Sequence, residues 1–532
     1  MNSNHDPKGV SGPELASQGP VHSTLVQKTI EPKSDIVVLK HGRAKGGQPA
    51  APTPIRKISR SPKQETAAAA PEKPTGPELP SAALFAAGKA LRERIPRQVH
   101  GTWKRDKDRV DPLAILRAQD KDRQKQLIPI RYGRMLQTPF TFYRGAAAVM
   151  AADLAKTPAS GLRVQACGDC HLLNFGGFAT PERNIVFDIN DFDETAPAPW
   201  EWDVKRLVAS FVLAGRSQGL KESDSRDAAV ACARSYRKRL REYAAMSPLE
   251  IWYAQITIEE YIAAAPASVR KAREAAFRKK LEKATAASSS DLTYPQLAEM
   301  VSGHIRIHDA PPLIFHPTDV SAEELQERAK EALKCYRDTL SDERRELLDQ
   351  YRIVDWAMKV VGIGSVGTRC SILLMMSTNN DPLFLQWKQA KQSVLEPYAG
   401  KSIYSHPGQR VVMGQKLMQS ASDIFLGWAT TNIGIQGYVR QLRDVKIKPV
   451  VETMDVEALT HYARMCGWAL ARAHAKAGGL GQKISGYLGN TDNFDEAMGS
   501  FAVAYADQTE RDHAALKSAV KAGKIEVIQL EE

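Results

Sequence analysis

A chain of 532 residues, 43% hydrophobic and 25% charged, has the make-up of a globular protein, long enough for two or three units or for one two-lobed enzyme with an added arm. Its formal charge of +12 comes without a zinc-finger, aromatic RNA-binding or helix-turn-helix signature. A nucleic-acid partner is therefore not expected, and an anionic nucleotide or phosphorylated substrate accounts for the charge equally well. No apolar run approaches the roughly 20 residues of a membrane span, and MNSNHDPKGV lacks the apolar core of a secretory signal, so a cytoplasmic protein is expected.

Residues 1–80 are rich in Pro, Ala, Gly, Ser and Lys, as in AAAAPEKPTGPELP, and read as a disordered basic arm. Ordered structure is expected from residue 81, where TPFTFYRGAAAVMAADLAK runs from an aromatic entry into an amphipathic helix. The stretch CGDCHLLNFG then admits two chemistries. Cys167-x-x-Cys170-His171 is the pattern of haem attachment, or, in its thiol pair, of a zinc or redox site. Read without the thiols, Gly168-Asp169-x-His171-x-x-Asn174 sets an acid five residues before an amide, as phosphate-transferring enzymes place a base and a magnesium ligand. Export is not expected, which argues against haem, and the six scattered cysteines suit reduced thiols.

NIVFDINDFDE predicts a short buried strand at Ile185, Val186 and Phe187 that runs into a carboxylate-rich turn and delivers Asp191 opposite Asn174. WDVKRLVASFVLAG predicts a helix, and a mostly helical region is expected to about 355, with VRKAREAAFRKKLEKA as an exposed charged face. From 359, KVVGIGSVGTRC places Gly362, Gly364, Ser365 and Gly367 between two strand-like segments, and PLFLQWKQA is a second strand ending near Lys388. Strand-glycine-strand suits a loop over nucleotide phosphates better than a Rossmann turn, which opens a helix; a plain glycine-bearing hairpin with an exposed lysine is the structural alternative. RVVMGQKLMQSASDIFLGW predicts a helix leading into strand, IQGYVRQLRD a strand, and ALTHYARMCGWALARAHAKAGG a helix ended by Gly478 and Gly479.

The run Gly168-Asp169-Cys170-His171-Leu172-Leu173-Asn174 resembles the Gly-Asp-x-His-x-x-Asn brace of aminoglycoside phosphotransferases and choline kinases, with Cys167 where those enzymes usually carry His. Asp191-Phe192-Asp193 resembles their metal motif, and Asp203 stands where an Asp opens the next helix and buttresses the catalytic loop. From about 95 to 515 the chain also resembles a bacterial family, domain of unknown function 2252 (DUF2252), through RGAAAVMAADLA, GDCHLLNFG, FDINDFDE, KVVGIGSVGTRC, GQRVVMGQKLMQSASDIFLGW and YADQTERDHAAL.

The resemblance implies an α+β, protein kinase-like, two-lobed and predominantly helical fold. Asp169 orients or deprotonates the acceptor, His171 braces the loop, and Asn174 and Asp191 hold magnesium or manganese. Lys388 binds ATP phosphates beneath the 362–367 loop. Because the glycine loop follows Asp169 in the chain, the lobes are expected in circularly permuted order: 81–355 helical and catalytic, 356–445 β-rich and nucleotide-binding, 446–532 helices returning to the first lobe. The helix ending at 476–479 would then meet the catalytic loop in space. Glu396 is the nearest acidic candidate for Lys388, while Arg369, Arg440 and Arg443 bind phosphate or form salt bridges. The partners expected are a nucleotide and an unidentified acceptor; the rival functions are a non-catalytic nucleotide-binding regulator, a related nucleotidyl transferase and a metal-dependent hydrolase.

Overall fold

A computed structural model describes residues 80–286, 297–301, 304–318, 321–360, 362–442 and 445–529. The expected disordered arm, apart from Pro80, and Arg443 lie outside the described residues. Helix and sheet are mixed, as expected of an α+β chain. Among the described residues no helix is long and apolar enough to cross a membrane.

The helical part is organised around Trp200–Ser217, which is buried on every side from Trp200 to Gly215. Helices Glu222–Ala244, Val456–Lys476 and Asn493–Lys521 pack around it. Trp200 stacks on Tyr236 at 5.7 Å with the rings 2° from parallel. Leu207, Phe211, Leu459 and Leu470 are fully buried there, each stabilising by about 2 kcal/mol. At Gly467 a Cβ would stand 2.2 Å from the Cys232 carbonyl oxygen, so only glycine lets these two helix backbones come this close.

Four short strands carry the motifs of the first half: β1 (Arg163–Ala166), β2 (Phe175–Ala179), β3 (Ile185–Ile189) and β4 (Ala196–Pro199). β1 pairs with β4, and β2 with β3, both antiparallel. The expected strand at 185–187 is β3, buried along its whole length.

The region to 355 is less helical than its composition predicts. It contains the β5 (Ala298–Val301) and β6 (His304–Ile307) ladder, the short β7 (Ile314–Phe315) and the start of β8 (Tyr351–Lys359). β8 crosses the expected boundary at 356. Its pairing with β9 (Cys370–Ser377) shifts register between Ile353 and Asp355, and such a bulge interrupts the two-residue alternation by which a strand is read. With β10 (Pro382–Gln389), β11 (Gly427–Thr430) and β12 (Gln436–Gln441) they form a six-stranded antiparallel sheet ordered β11-β12-β10-β9-β8-β7. Alternation along β9 covers both faces. Ile372, Leu374 and Met376 pack with Ile307 and Ile314, whereas Met375 packs with Tyr336 and Leu340. β13 (Lys446–Ile447) leaves this sheet and pairs with β2, tying the chain after the sheet to the motif-bearing strands.

Candidate functional site

Pairing, not proximity in sequence, brings the two carboxylate loops together. The 167–174 loop joins β1 to β2, and the 190–195 turn joins β3 to β4. Since β1 pairs with β4 and β2 with β3, both loops leave the same two ladders, at Ala166↔Ala196 and Phe175↔Ile189. The Asn190 amide closes them by donating to the Asn174 carbonyl at 2.7 Å. Gly168 has φ of +88°, and a Cβ there would lie 2.2 Å from the Glu194 carbonyl oxygen, so glycine is required on both counts.

Behind the first loop Asp203 is almost fully buried. It accepts from the amides of Cys167 at 2.6 Å and Gly168 at 2.9 Å, with His474 Nε2 at 3.2 Å from its Oδ2. His474 belongs to helix Val456–Lys476, and just beyond it a Cβ on Gly478 would lie 3.3 Å from Val164 in β1. The end of that helix therefore abuts the strand leading into the 167–174 loop.

Asp169 Oδ1 accepts from Arg206 Nε at 2.8 Å and also from Nη2, while Oδ2 lies 3.9 Å from His171 Nε2. The Asp169 carbonyl accepts from Asn174 Nδ2 at 2.7 Å. His171 is buried, and burial, with Arg144 and Arg206 nearby, pushes its proton affinity far down, so the imidazole is neutral. Cys167 and Cys170 are wholly buried in the main core, and burial raises the Cys170 thiol to about 12. Thiols so enclosed and protonated do not suit haem or metal attachment.

Asp169, Asn174 and Asp191 line a cleft of about 880 Å³, and Gly362, Gly364 and Ser365 line the same cleft from the loop between β8 and β9. Gly367 does not reach it; its carbonyl accepts from the Gln124 amide at 2.8 Å. Lys388 is buried behind the cleft floor, where its Nζ donates to Asp193 Oδ2 at 2.6 Å. Glu396 is not its partner. That carboxylate instead accepts from the Ser393 amide at 3.0 Å, with Arg410 Nε at 3.8 Å. Helix Pro407–Met418 contributes Arg410 here, whose guanidinium donates to the carbonyls of Asp193, Thr195 and Lys391.

Asp193 also accepts from Tyr438 OH at 2.6 Å and Ser365 Oγ at 3.2 Å. Burial works against its charge, but Lys388 and these donors hold its carboxyl below the usual range. Among the described residues Asp191 has no cation at ion-pair distance, and burial together with Asp193 pushes it the other way, only partly offset by Lys388 and Arg440. The pair thus has one ion-paired carboxylate and one that is not, a condition a divalent cation relieves. Among the described residues no three His, Cys, Asp or Glu side chains form a closed metal cage. Asp191, Asp193 and Asn174 are an open set that suits magnesium, which keeps waters and phosphate oxygens among its ligands.

Arg369 and Arg440 also line the cleft, and Arg440 Nε donates to Gln386 at 3.1 Å. Sequence reading missed Arg206, Tyr438, Glu194 and Arg410 as site residues, and it placed Asp193 only within the metal motif, not as the partner of Lys388. Arg206 and Asp203 are neighbours on one helix face, a signal available in VKR. The others depend on strand pairing. A larger cavity of about 1100 Å³ lies on the opposite face of the sheet, around Trp387 beside Lys388. It is mostly apolar and lacks the convergent carboxylates, so the smaller polar cleft is the candidate.

The family model for an uncharacterized protein conserved in bacteria (DUF2252) matches residues 123–519, and the chain belongs to this family. No curated protein and no solved structure matches it.

Proposed function

We propose that the protein is an ATP- and magnesium-dependent phosphotransferase with a kinase-like, circularly permuted arrangement of lobes. The observation that carries this reading is the shared cleft: the Asp169–Asn174 loop and Asp191 on one side, the Gly362–Ser365 loop on the other, with Lys388 behind Asp193. Kinase chemistry needs this set, a carboxylate at the acceptor hydroxyl, oxygen ligands for metal, and a glycine loop with a lysine at the phosphates. The permuted order is supported by helix Val456–Lys476 ending against β1, so the usual succession is continuous in space though broken in the chain.

Arg206 occupies Oδ1 of Asp169, leaving Oδ2 to take the acceptor proton. The acceptor oxygen forms its bond to the γ-phosphorus as the bond from that phosphorus to the leaving ADP oxygen breaks, and the proton passes to Asp169. Asp191, Asp193 and Asn174 would hold magnesium, which would supply charge neutralisation to the transferring phosphate. Lys388, ion-paired with Asp193 at 2.6 Å, would contribute its charge to the phosphates from behind that carboxylate. Calorimetric titration of the full chain with Mg-ATP tests the reading: binding that needs metal and is lost in Asp191→Asn is expected, and absence of nucleotide binding with either magnesium or manganese overturns it.

The buried Lys388–Asp193 pair favours one second reading, a nucleotide-binding regulator whose lysine stays occupied. In that case Asp169→Asn changes neither binding nor turnover.

A further inference from the structure

The glycine loop is fastened from outside the sheet. Arg134 Nη1 donates to the Gly362 carbonyl at 2.6 Å, Arg123 Nη1 donates to that of Val366, and Ile363 and Val366 are buried among residues of 113–149. Arg123 is the unusual member. Its side chain is only 8% exposed, its Nε has no hydrogen-bond partner, and its nearest carboxylate, Asp120, is 3.9 Å away. Asp120 already serves Arg131 Nη1 at 2.9 Å and the Tyr132 hydroxyl. Lys391, two residues past the end of β10, lines the same end of the cleft. Its Nζ donates to the Asp122 carbonyl at 3.0 Å, and its nearest carboxylate, the exposed Asp122, is 4.0 Å away.

Two cations therefore stand at one end of the cleft with no carboxylate nearer than 3.9 Å. Burial, with Arg131 beside it, lowers the Arg123 proton affinity to about 9, and burial and Arg123 lower that of Lys391. The acids around them do not neutralise the pair. Asp169 is taken by Arg206, Asp193 by Lys388 and Glu194 by the Val394 amide at 2.8 Å. A bound anion removes the cost of holding such like charges together.

We propose that Arg123 and Lys391 form an oxyanion subsite for the acceptor, so that the acceptor is a hydroxyl compound carrying a phosphate or carboxylate group. This rests on the phosphotransferase reading. The nucleotide's phosphates have Lys388 and the metal carboxylates at the sheet; Arg123 and Lys391 lie beyond the end of β10, on the Glu194 side, where the acceptor's charge is held while its hydroxyl faces Asp169.

The test uses the full chain saturated with Mg-AMPPNP, whose γ-phosphate fills the nucleotide's own site, titrated with inorganic phosphate and separately with acetate. Saturable binding of at least one anion on top of the nucleotide is expected, weakened at least tenfold in Lys391→Gln, which leaves the glycine-loop contacts intact, and in Arg123→Gln. The tighter of the two anions identifies the acceptor's charged group. Anion binding that competes with AMPPNP, or that is unchanged in both variants, overturns the subsite while leaving the nucleotide reading in place. If AMPPNP itself does not bind, the phosphotransferase reading falls first.

Discussion

The two loops that face each other across the cleft are held by different means. The 167–174 loop is pinned from behind by its own strands, by Asp203 on its amides and by Arg206 on Asp169. The 362–367 loop joins β8 to β9 of the large sheet, yet its carbonyls are held by a segment more than two hundred residues earlier in the chain, and Ile363 packs with that segment and with Leu516 and Ala519 near the C-terminus. In the proposed function the first loop presents a carboxylate to the acceptor, a task that gains from rigid support. A loop fastened by separate side chains is one whose position can be altered one contact at a time.

Substitutions can break this contrast, beginning at the carboxylates. Asp169→Asn should keep Mg-ATP affinity near normal and lower turnover about 10²-fold or more, measured by steady-state kinetics beside calorimetry. Asp191→Asn should lower both metal-dependent affinity and rate if, as proposed, its carboxylate serves the metal and not the acceptor. Equal effects of the two variants on binding would remove the division of roles.

Stability measurements sharpen it further. Asp203→Ala leaves two buried amides and His474 without their acceptor, and denaturant unfolding should report a loss of about 3 kcal/mol. Ile363→Ala, on the other loop, should cost about 2 kcal/mol and raise the Kd for Mg-ATP more than Asp203→Ala does per unit of lost stability. The reverse order of effects on nucleotide affinity would mean that the glycine loop is positioned by its strands and not by its side-chain fastenings.

A further effect is in the pH profile. Burial raises the Glu194 carboxyl from its ordinary 4.5 to about 7, so the folded protein binds more protons there than the unfolded chain between those values. Stability from this group is greatest below about 4.5 and is lost as pH rises to about 7. Glu194→Gln should flatten that part of the stability curve, and a curve of unchanged slope would show that Glu194 titrates normally.

The carboxylate loop was largely legible in sequence. Asp169, Asn174 and Asp191 lie within one short stretch, and the apolar run at 185–187 announces the strand that delivers the last of them, so local pattern alone sets the chemistry of that side. The glycine motif and Lys388 were legible as residue types between strands for the same reason. What only the tertiary structure decided is who meets whom across long separations. Lys388 is paired with Asp193 and not with Glu396, because β10 and its neighbour β12 bring the lysine and Tyr438 to the 190–195 turn. The β8 strand was hidden by its bulge, and Arg123 looked like one more surface arginine until the fold buried it against Val366. Periodicity and motif report the character of a residue and its immediate neighbours. Burial and pairing of charges depend on the closure of the whole chain, which no local pattern encodes.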